Sequence, residues 1–178
     1  MKRMKYLLLL ALLIIAGGCG GPGDSVNRQT EPDIEQQADG KVILDLRKAY
    51  LLQDSLHPDM NTAEWSFSIK SKGRYELWLS SFTKDTMDLK YESPVIIYFQ
   101  DKRIQARPVG NQIIADDGGS SREYFRADSK LGSVYIDNPG NYNIQVVSDK
   151  VRPYETGLTS MGSRHTELRS LILKPMTR

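Results

Sequence analysis

Apolar and polar residues alternate along several stretches of this 178-residue chain, and this alternation constrains the fold more than any other feature. Residues 64–70 and 142–146 show it most clearly, with apolar side chains at every second position. A period of two places those side chains on one face of a β-strand. No long stretch after residue 40 repeats with the helical period, so the sequence predicts an all-β domain.

Eight short strands follow from this pattern, separated by turns that contain Gly, Pro and Asn. They are predicted at residues 42–46, 65–69, 75–79, 95–99, 103–109, 134–136, 142–146 and 168–173. The turn at 71–73 predicts a hairpin over residues 65–79. Residues 95–99 are apolar on both faces, which indicates a central strand. Residues 48–56 are also compatible with a short helical turn. The strongest loop signal lies at 116–121, and residues 150–165 are irregular.

The N-terminus begins with basic residues, continues with an apolar run at 7–15 and ends in IAGGC at 15–19. The run is too short to span a bilayer. This arrangement resembles the export signal and lipobox of bacterial lipoproteins, although Ala16 stands where that family usually has Leu. The resemblance implies that the Cys19 thiol receives a diacylglyceryl group and that cleavage occurs before it. A conventional signal peptide and a short membrane anchor are the alternatives.

This interpretation divides the chain into a signal peptide at 1–18, a flexible tether at 19–40 and a β-sandwich domain at 41–178. It also predicts localisation in the bacterial cell envelope, with the membrane contacted through lipid on Cys19. Gly20 follows the cysteine, and the absence there of the aspartate that retains many lipoproteins in the inner membrane favours the outer membrane. Cys19 is the sole cysteine, so no disulfide within the chain supports the domain, which must rest on its hydrophobic core.

Charge argues against one class of partner. Removal of residues 1–18 takes away three basic side chains and no acidic one. The remainder has 21 basic and 22 acidic residues, and its net charge is −1. A nearly neutral domain without a basic cluster lacks the electrostatic footprint of a nucleic-acid-binding protein.

The order of strands resembles a known architecture. EWSFSI at 64–69 followed by GRYELWL at 73–79 is similar to the opening strands of galactose-binding-like jelly rolls. LGSVYI at 131–136, PGNYNIQV at 139–146 and LRSLILKP at 168–175 are similar to their later strands. The resemblance implies an antiparallel β-sandwich of the jelly-roll type found in carbohydrate-binding modules and in domains appended to bacterial fucosidases and sulfatases. The matched positions are core and turn residues, so they bear on fold more than on function.

The chain carries no recognisable catalytic motif, and we expect a protein that is not an enzyme. His57 and His165 are the only histidines and lack the spacing of metal ligands. Asp116 and Asp117 lack the alternating spacing of a dedicated calcium loop, so a solvated turn is the preferred interpretation. We therefore predict no cofactor and no metal site, with structural calcium possible but not indicated.

Aromatic residues next to charged donors provide the candidate binding residues, because sugars stack on rings and hydrogen-bond through hydroxyl groups. Trp78 alternates with Leu77 and Leu79 and should point outward, as should Tyr135, whereas Trp65 should lie in the core. The predicted glycan-binding residues lie in a groove at one end of the sandwich: Trp78, Arg122, Tyr124, Arg152 and Tyr154.

Two functions from different classes remain open at this point. The first is a membrane-anchored, non-catalytic module that binds glycans through loop and outward-facing aromatic side chains. The alternative is a structural or protein-interaction lipoprotein of the cell envelope that has no small-molecule ligand. The resemblance to carbohydrate-binding domains favours the first.

Overall fold

The computed structural model describes residues 34–115, 124–152 and 166–176, and these form two stacked β-sheets. The six-stranded sheet contains β1 (Ile34–Glu35), β3 (Tyr50–Leu52), β4 (Thr62–Ile69), β6 (Val95–Phe99), β7 (Lys102–Ala106) and β10 (Gly140–Val147). The five-stranded sheet contains β2 (Val42–Asp45), β5 (Gly73–Thr83), β8 (Gln112–Ile114), β9 (Phe125–Ile136) and β11 (Thr166–Pro175). Two short 3₁₀ turns, Leu46–Lys48 and Pro58–Met60, complete the described structure.

The strand order confirms the predicted all-β, antiparallel β-sandwich. The six-stranded sheet runs β1-β4-β10-β6-β7, with β3 sharing the outer edge of β4, and the five-stranded sheet runs β2-β11-β5-β9-β8. Among the described strands, all pairs are antiparallel except β1 with β4, which is parallel. Such sheets bury one face and leave the other free for solvent or ligands.

The hydrophobic core lies between the sheets and includes the apolar positions that the alternation identified, together with residues such as Ile34, Leu89 and Val151. Trp65 is 2% exposed, and Phe67 and Leu79 are fully buried. Phe67 and Phe99 stack with ring centroids 6.3 Å apart, and the Tyr142 ring lies 5.7 Å from that of Phe99. The prediction that Trp65 is a core residue is therefore confirmed.

The predicted hairpin over residues 65–79 is wrong. β4 belongs to the six-stranded sheet and β5 to the five-stranded sheet, so the turn between them carries the chain across the core. Gly73 adopts a φ of 149° at this crossing, a conformation that favours glycine. The alternation reports which face of each strand is buried. It does not report whether two buried faces lie side by side or opposite each other.

The folded domain begins before the predicted boundary at 41. β1 lies inside the residues interpreted as tether and pairs with β4 at Phe67 and Ser68. Gln36, which follows β1, is 8% exposed and donates hydrogen bonds from Nε2 to the Tyr75 hydroxyl at 2.8 Å and to the Gly40 carbonyl at 2.7 Å. Residues 34–40 are thus part of the sandwich, although the sequence interpretation assigned them to the tether.

Two further strand predictions can be compared with the structure; the first is wrong and the second is confirmed. The possible helical turn at 48–56 is instead the 3₁₀ turn at Leu46–Lys48 followed by β3, because the edge of β4 is open to pairing there. β6 lies between β10 and β7, as a central strand should, but only one of its faces is covered. On the other face, Tyr98 is 40% exposed.

Candidate functional site

Two of the predicted binding residues, Tyr124 and Arg152, lie at one end of the sandwich, which we call the loop end. β5 ends there at Thr83, which pairs with Phe125 and Thr166 at the starts of β9 and β11. Arg122 and Tyr154 fall outside the described residues, in the two connections whose described flanks lie at the loop end.

Tyr124 and Arg152 occupy different environments at the loop end. Tyr124 is 3% exposed, and the Lys84 ammonium lies 5.1 Å from its ring centroid. Arg152 is exposed, and its Nε lies 3.4 Å from the carbonyl oxygen of Asp149. A ring as deeply buried as that of Tyr124 contributes to packing and presents little surface for stacking a sugar.

A largely buried ion pair precedes Arg152 in the chain. The Asp149 carboxylate is 2.7 Å from the Lys150 ammonium, which in turn lies 5.9 Å from the ring centroid of Tyr91. The Tyr91 hydroxyl is 2.8 Å from the Ser81 hydroxyl, and burial raises the pKa of Tyr91, so the phenol remains neutral. These groups satisfy one another and join the two sheets at this end.

Trp78 lies away from the loop end, on the outer face of the five-stranded sheet. It points outward as predicted, but it is only 8% exposed. Its indole nitrogen donates to Glu76 at 2.8 Å, and the Lys174 ammonium lies 4.0 Å from the ring centroid. Lys130 pairs with Glu76 from the neighbouring strand. The structure therefore separates Trp78 from Tyr124 and Arg152, and these three described candidates do not share one groove.

Hydrogen bonds from Lys130 and then from Trp78 hold the pKa of Glu76 below its ordinary value. Burial lowers the pKa of Lys174. Burial opposes ionisation of Asp128, but hydrogen bonds from Arg126 and Ser80 outweigh it and lower the pKa of that carboxyl. The charged side chains around Trp78 on this outer face thus form ion pairs and hydrogen bonds that largely neutralise their charges.

The outer face of the six-stranded sheet carries a different arrangement. Strand register aligns five side chains in one row across β3, β4, β10, β6 and β7. We call this row the tyrosine platform; it consists of Tyr50, Glu64, Gln145, Tyr98 and Arg103. Tyr50 is 50% exposed and Tyr98 is 40% exposed, while Glu64 and Gln145 are half-buried between them. Gln145 Nε2 donates to Glu64 Oε2 at 3.1 Å.

The platform combines the groups that a sugar requires. Exposed tyrosine rings offer flat surfaces for C–H faces, and the amide and carboxylate between them offer hydrogen-bonding groups for hydroxyls. Within the described residues, neither the Tyr98 hydroxyl nor the Arg103 guanidinium makes a hydrogen bond or ion pair. Sequence reasoning missed this site because each tyrosine is an isolated residue until the register brings the five strands together.

A largely apolar row runs next to the platform on the same face. The same strand pairs align Leu52, Thr62, Val147 and Ile96. Leu52 is 47% exposed and Ile96 is half-buried, whereas Val147 is buried. In the described residues, no three His, Cys, Asp or Glu side chains are placed to share a metal ion. The described part of the chain likewise contains no helix that is long and apolar enough to cross a membrane.

Comparison with known proteins supports the fold. No family model matches the chain, and no curated protein matches it significantly. Among solved structures, the chain is similar to an α-L-fucosidase from Vibrio sp. strain EJY3, with a TM-score of 0.60 and 20% sequence identity. The likeness covers 80% of this chain and 24% of the fucosidase, so the chain spans about a quarter of that enzyme.

Two weaker likenesses accompany it. A GH26-CBM35 β-(1,4)-mannanase from Podospora anserina is 12% identical with a TM-score of 0.45, covering 79% of this chain and 28% of its own. The insecticidal crystal protein Cry2Aa is 12% identical with a TM-score of 0.40, covering 84% of this chain and 19% of its own. TM-scores below 0.5 do not establish a common fold. The likeness to the fucosidase, with its higher TM-score, supports the β-sandwich fold.

Proposed function

We propose that this protein is a lipid-anchored, non-catalytic glycan-binding module of the bacterial cell envelope, and that it binds glycans on the tyrosine platform. One observation carries the proposal. Two exposed tyrosines, Tyr50 and Tyr98, lie in one row with the hydrogen-bonded pair Glu64 and Gln145 between them. Aromatic faces flanking a few fixed polar groups are what a sugar-binding surface requires.

Tyr98→Ala is the variant that tests the proposal most simply. We expect it to weaken binding, to whichever polysaccharide the unaltered protein binds, by more than about tenfold, because a central aromatic contact contributes about 2 kcal/mol. Affinity electrophoresis against plant, host and microbial polysaccharides, with and without EDTA, measures this loss. We expect binding to persist in EDTA and no release of reducing ends, since the module is proposed to need no metal and to cleave nothing.

Tyr135→Ala is the matched control, because Tyr135 is 46% exposed but lies on the five-stranded sheet. It should bind like the unaltered protein. Equal losses in both variants, or retention by Tyr98→Ala, would contradict a site on the platform. In the latter case Arg152 at the loop end, together with Arg122 and Tyr154, would be the next residues to substitute.

The anchor is a separate part of the proposal. Lipid on Cys19 would hold the domain at the outer membrane through residues 20–33, since residue 34 already belongs to the sandwich. Cys19→Ser removes the acylated thiol and is expected to abolish metabolic labelling with palmitate and to leave the protein outside the membrane fraction. Unchanged labelling and membrane retention in this variant would contradict lipidation at Cys19.

The alternative of a protein-interaction lipoprotein is favoured by one observation, the exposed Leu52 and the half-buried Ile96 in the row beside the platform. An envelope protein could cover this row and the tyrosines together. Purification of the native anchored protein distinguishes the two. A stoichiometric partner that is lost with Tyr98→Ala, in a protein that binds no glycan, would favour the alternative.

A further inference from the structure

We infer that the tyrosine platform takes an internal segment of an extended glycan lying across the strands, and not a single terminal sugar. The inference rests on the proposed function and names the form of ligand that this surface fits. It depends on how far apart the two tyrosines lie and on what lies between and beyond them.

The distance between the rings sets the minimum length of the ligand. Tyr50 and Tyr98 are separated by two intervening strands, β4 and β10, which makes three inter-strand spacings. Adjacent strands lie about 4.8 Å apart, so the two backbones are about 14 Å apart. A single pyranose covers about one aromatic ring, so it can stack on one of these tyrosines but not on both. Only a chain of several sugars can engage both.

The side chains between the tyrosines are held in place for a ligand that passes over them. Gln145 donates to Glu64. In the adjacent row of the same face, the Ser66 hydroxyl donates to Asn143 Oδ1 at 2.8 Å. Each hydrogen bond joins β4 to β10. One engages the amide nitrogen of Gln145 and the other engages the amide oxygen of Asn143. Within the described residues, the Asn143 amide nitrogen and the Gln145 carbonyl oxygen have no other partner. They remain available to sugar hydroxyls midway along the row.

The row continues past Tyr98 to Arg103, which faces Tyr98 in the register and is exposed. A guanidinium presents several N–H donors in a fixed plane. Its position adds a fourth inter-strand spacing, so that the polar and aromatic groups extend about 19 Å. Among the described residues, no side chain closes either end of this row, so a glycan chain can continue past both ends of it. A pocket for the terminus of a glycan would instead be closed at one end.

The test is the dependence of affinity on chain length. The full mature lipoprotein in detergent is titrated calorimetrically with cello-, manno- and fucoidan oligosaccharides of one to about six sugars. In the series that binds, we expect affinity to rise more than tenfold from the monosaccharide to the longest member. Tyr50→Ala and Tyr98→Ala should each lower affinity for the longest member more than tenfold, and Tyr135→Ala should leave it unchanged.

Two different failures are distinguishable. Binding with an affinity that does not depend on length, or that survives Tyr50→Ala, overturns the inference while leaving a glycan-binding module. The absence of binding by any oligosaccharide or polysaccharide overturns the proposed function and the inference together. Tyr98→Trp keeps a stacking ring and should retain binding, and an unchanged thermal midpoint in every variant shows that the loss arises at the surface and not from unfolding.

Discussion

A chain that begins at Asp39 is expected to be less stable than one that begins at Gly20 by roughly 2–4 kcal/mol. The shorter chain lacks β1 and Gln36. Gln36 Nε2 donates to the Tyr75 hydroxyl at 2.8 Å, and Gln36 Oε1 accepts from the Lys70 amide at 2.8 Å. The truncation removes Gln36 and leaves these groups without those partners. It also removes β1 and so exposes the edge of β4 that β1 covers.

Urea unfolding of the two chains measures the difference, since the midpoint falls as stability is lost. Gln36→Ala in the longer chain is the matched variant and should reproduce a large part of the loss. Equal midpoints for the chains that begin at Gly20 and Asp39 would show that residues 34–38 contribute nothing to the sandwich. The predicted tether at 19–40 would then stand.

Trp65→Ala is expected to destabilise the domain by about 3–5 kcal/mol, the loss typical of a buried aromatic side chain. Trp65 is 2% exposed between the sheets. Its indole nitrogen donates to the backbone carbonyl of Asp45 at 2.8 Å, so this side chain on β4 also binds the opposite sheet at β2. The variant therefore opens a cavity and leaves a carbonyl group without its donor at the same time.

Trp78→Ala provides the comparison, because it removes the same side chain from an outer face. It loses the contact with Lys174 and the hydrogen bond to Glu76, for which we expect about 1–2 kcal/mol. Chemical denaturation of both variants ranks the two tryptophans. A larger loss at Trp78 than at Trp65 would contradict the placement of the core between these sheets.

The alternation of apolar and polar residues predicts which strands form and which of their faces is buried, but it does not predict how the strands pair. The pattern at 64–70 identified β4 and its buried residues correctly, because burial of one face is a local property of the sequence. Whether β4 pairs with β5 or faces it across the core depends on the whole set of strand pairs, and the sequence of a turn does not determine that. β1 is two residues long in a polar stretch, so no periodicity could have revealed it.

The exposure of the candidate site residues is harder to predict from the sequence than the fold, for the same reason. Trp78 and Tyr124 were selected as an outward aromatic residue and a loop-edge aromatic residue, but their exposure depends on neighbours from other strands. Tyr50 and Tyr98 are 48 positions apart in the numbering and share a surface only through β4 and β10. The alternation in 95–99 was hidden because Ile96 and Tyr98 make the outer face of β6 as apolar as its inner face.

The most direct test of the account is the footprint of a bound glycan on the protein. Hydrogen–deuterium exchange of the mature protein, with and without the oligosaccharide that binds best in the titrations, locates the contact. We predict protection in β3, β4, β6 and β10 along the row from Tyr50 to Tyr98. Protection confined to the loop end around Arg152, or to the outer face around Trp78, would contradict a glycan site on the tyrosine platform.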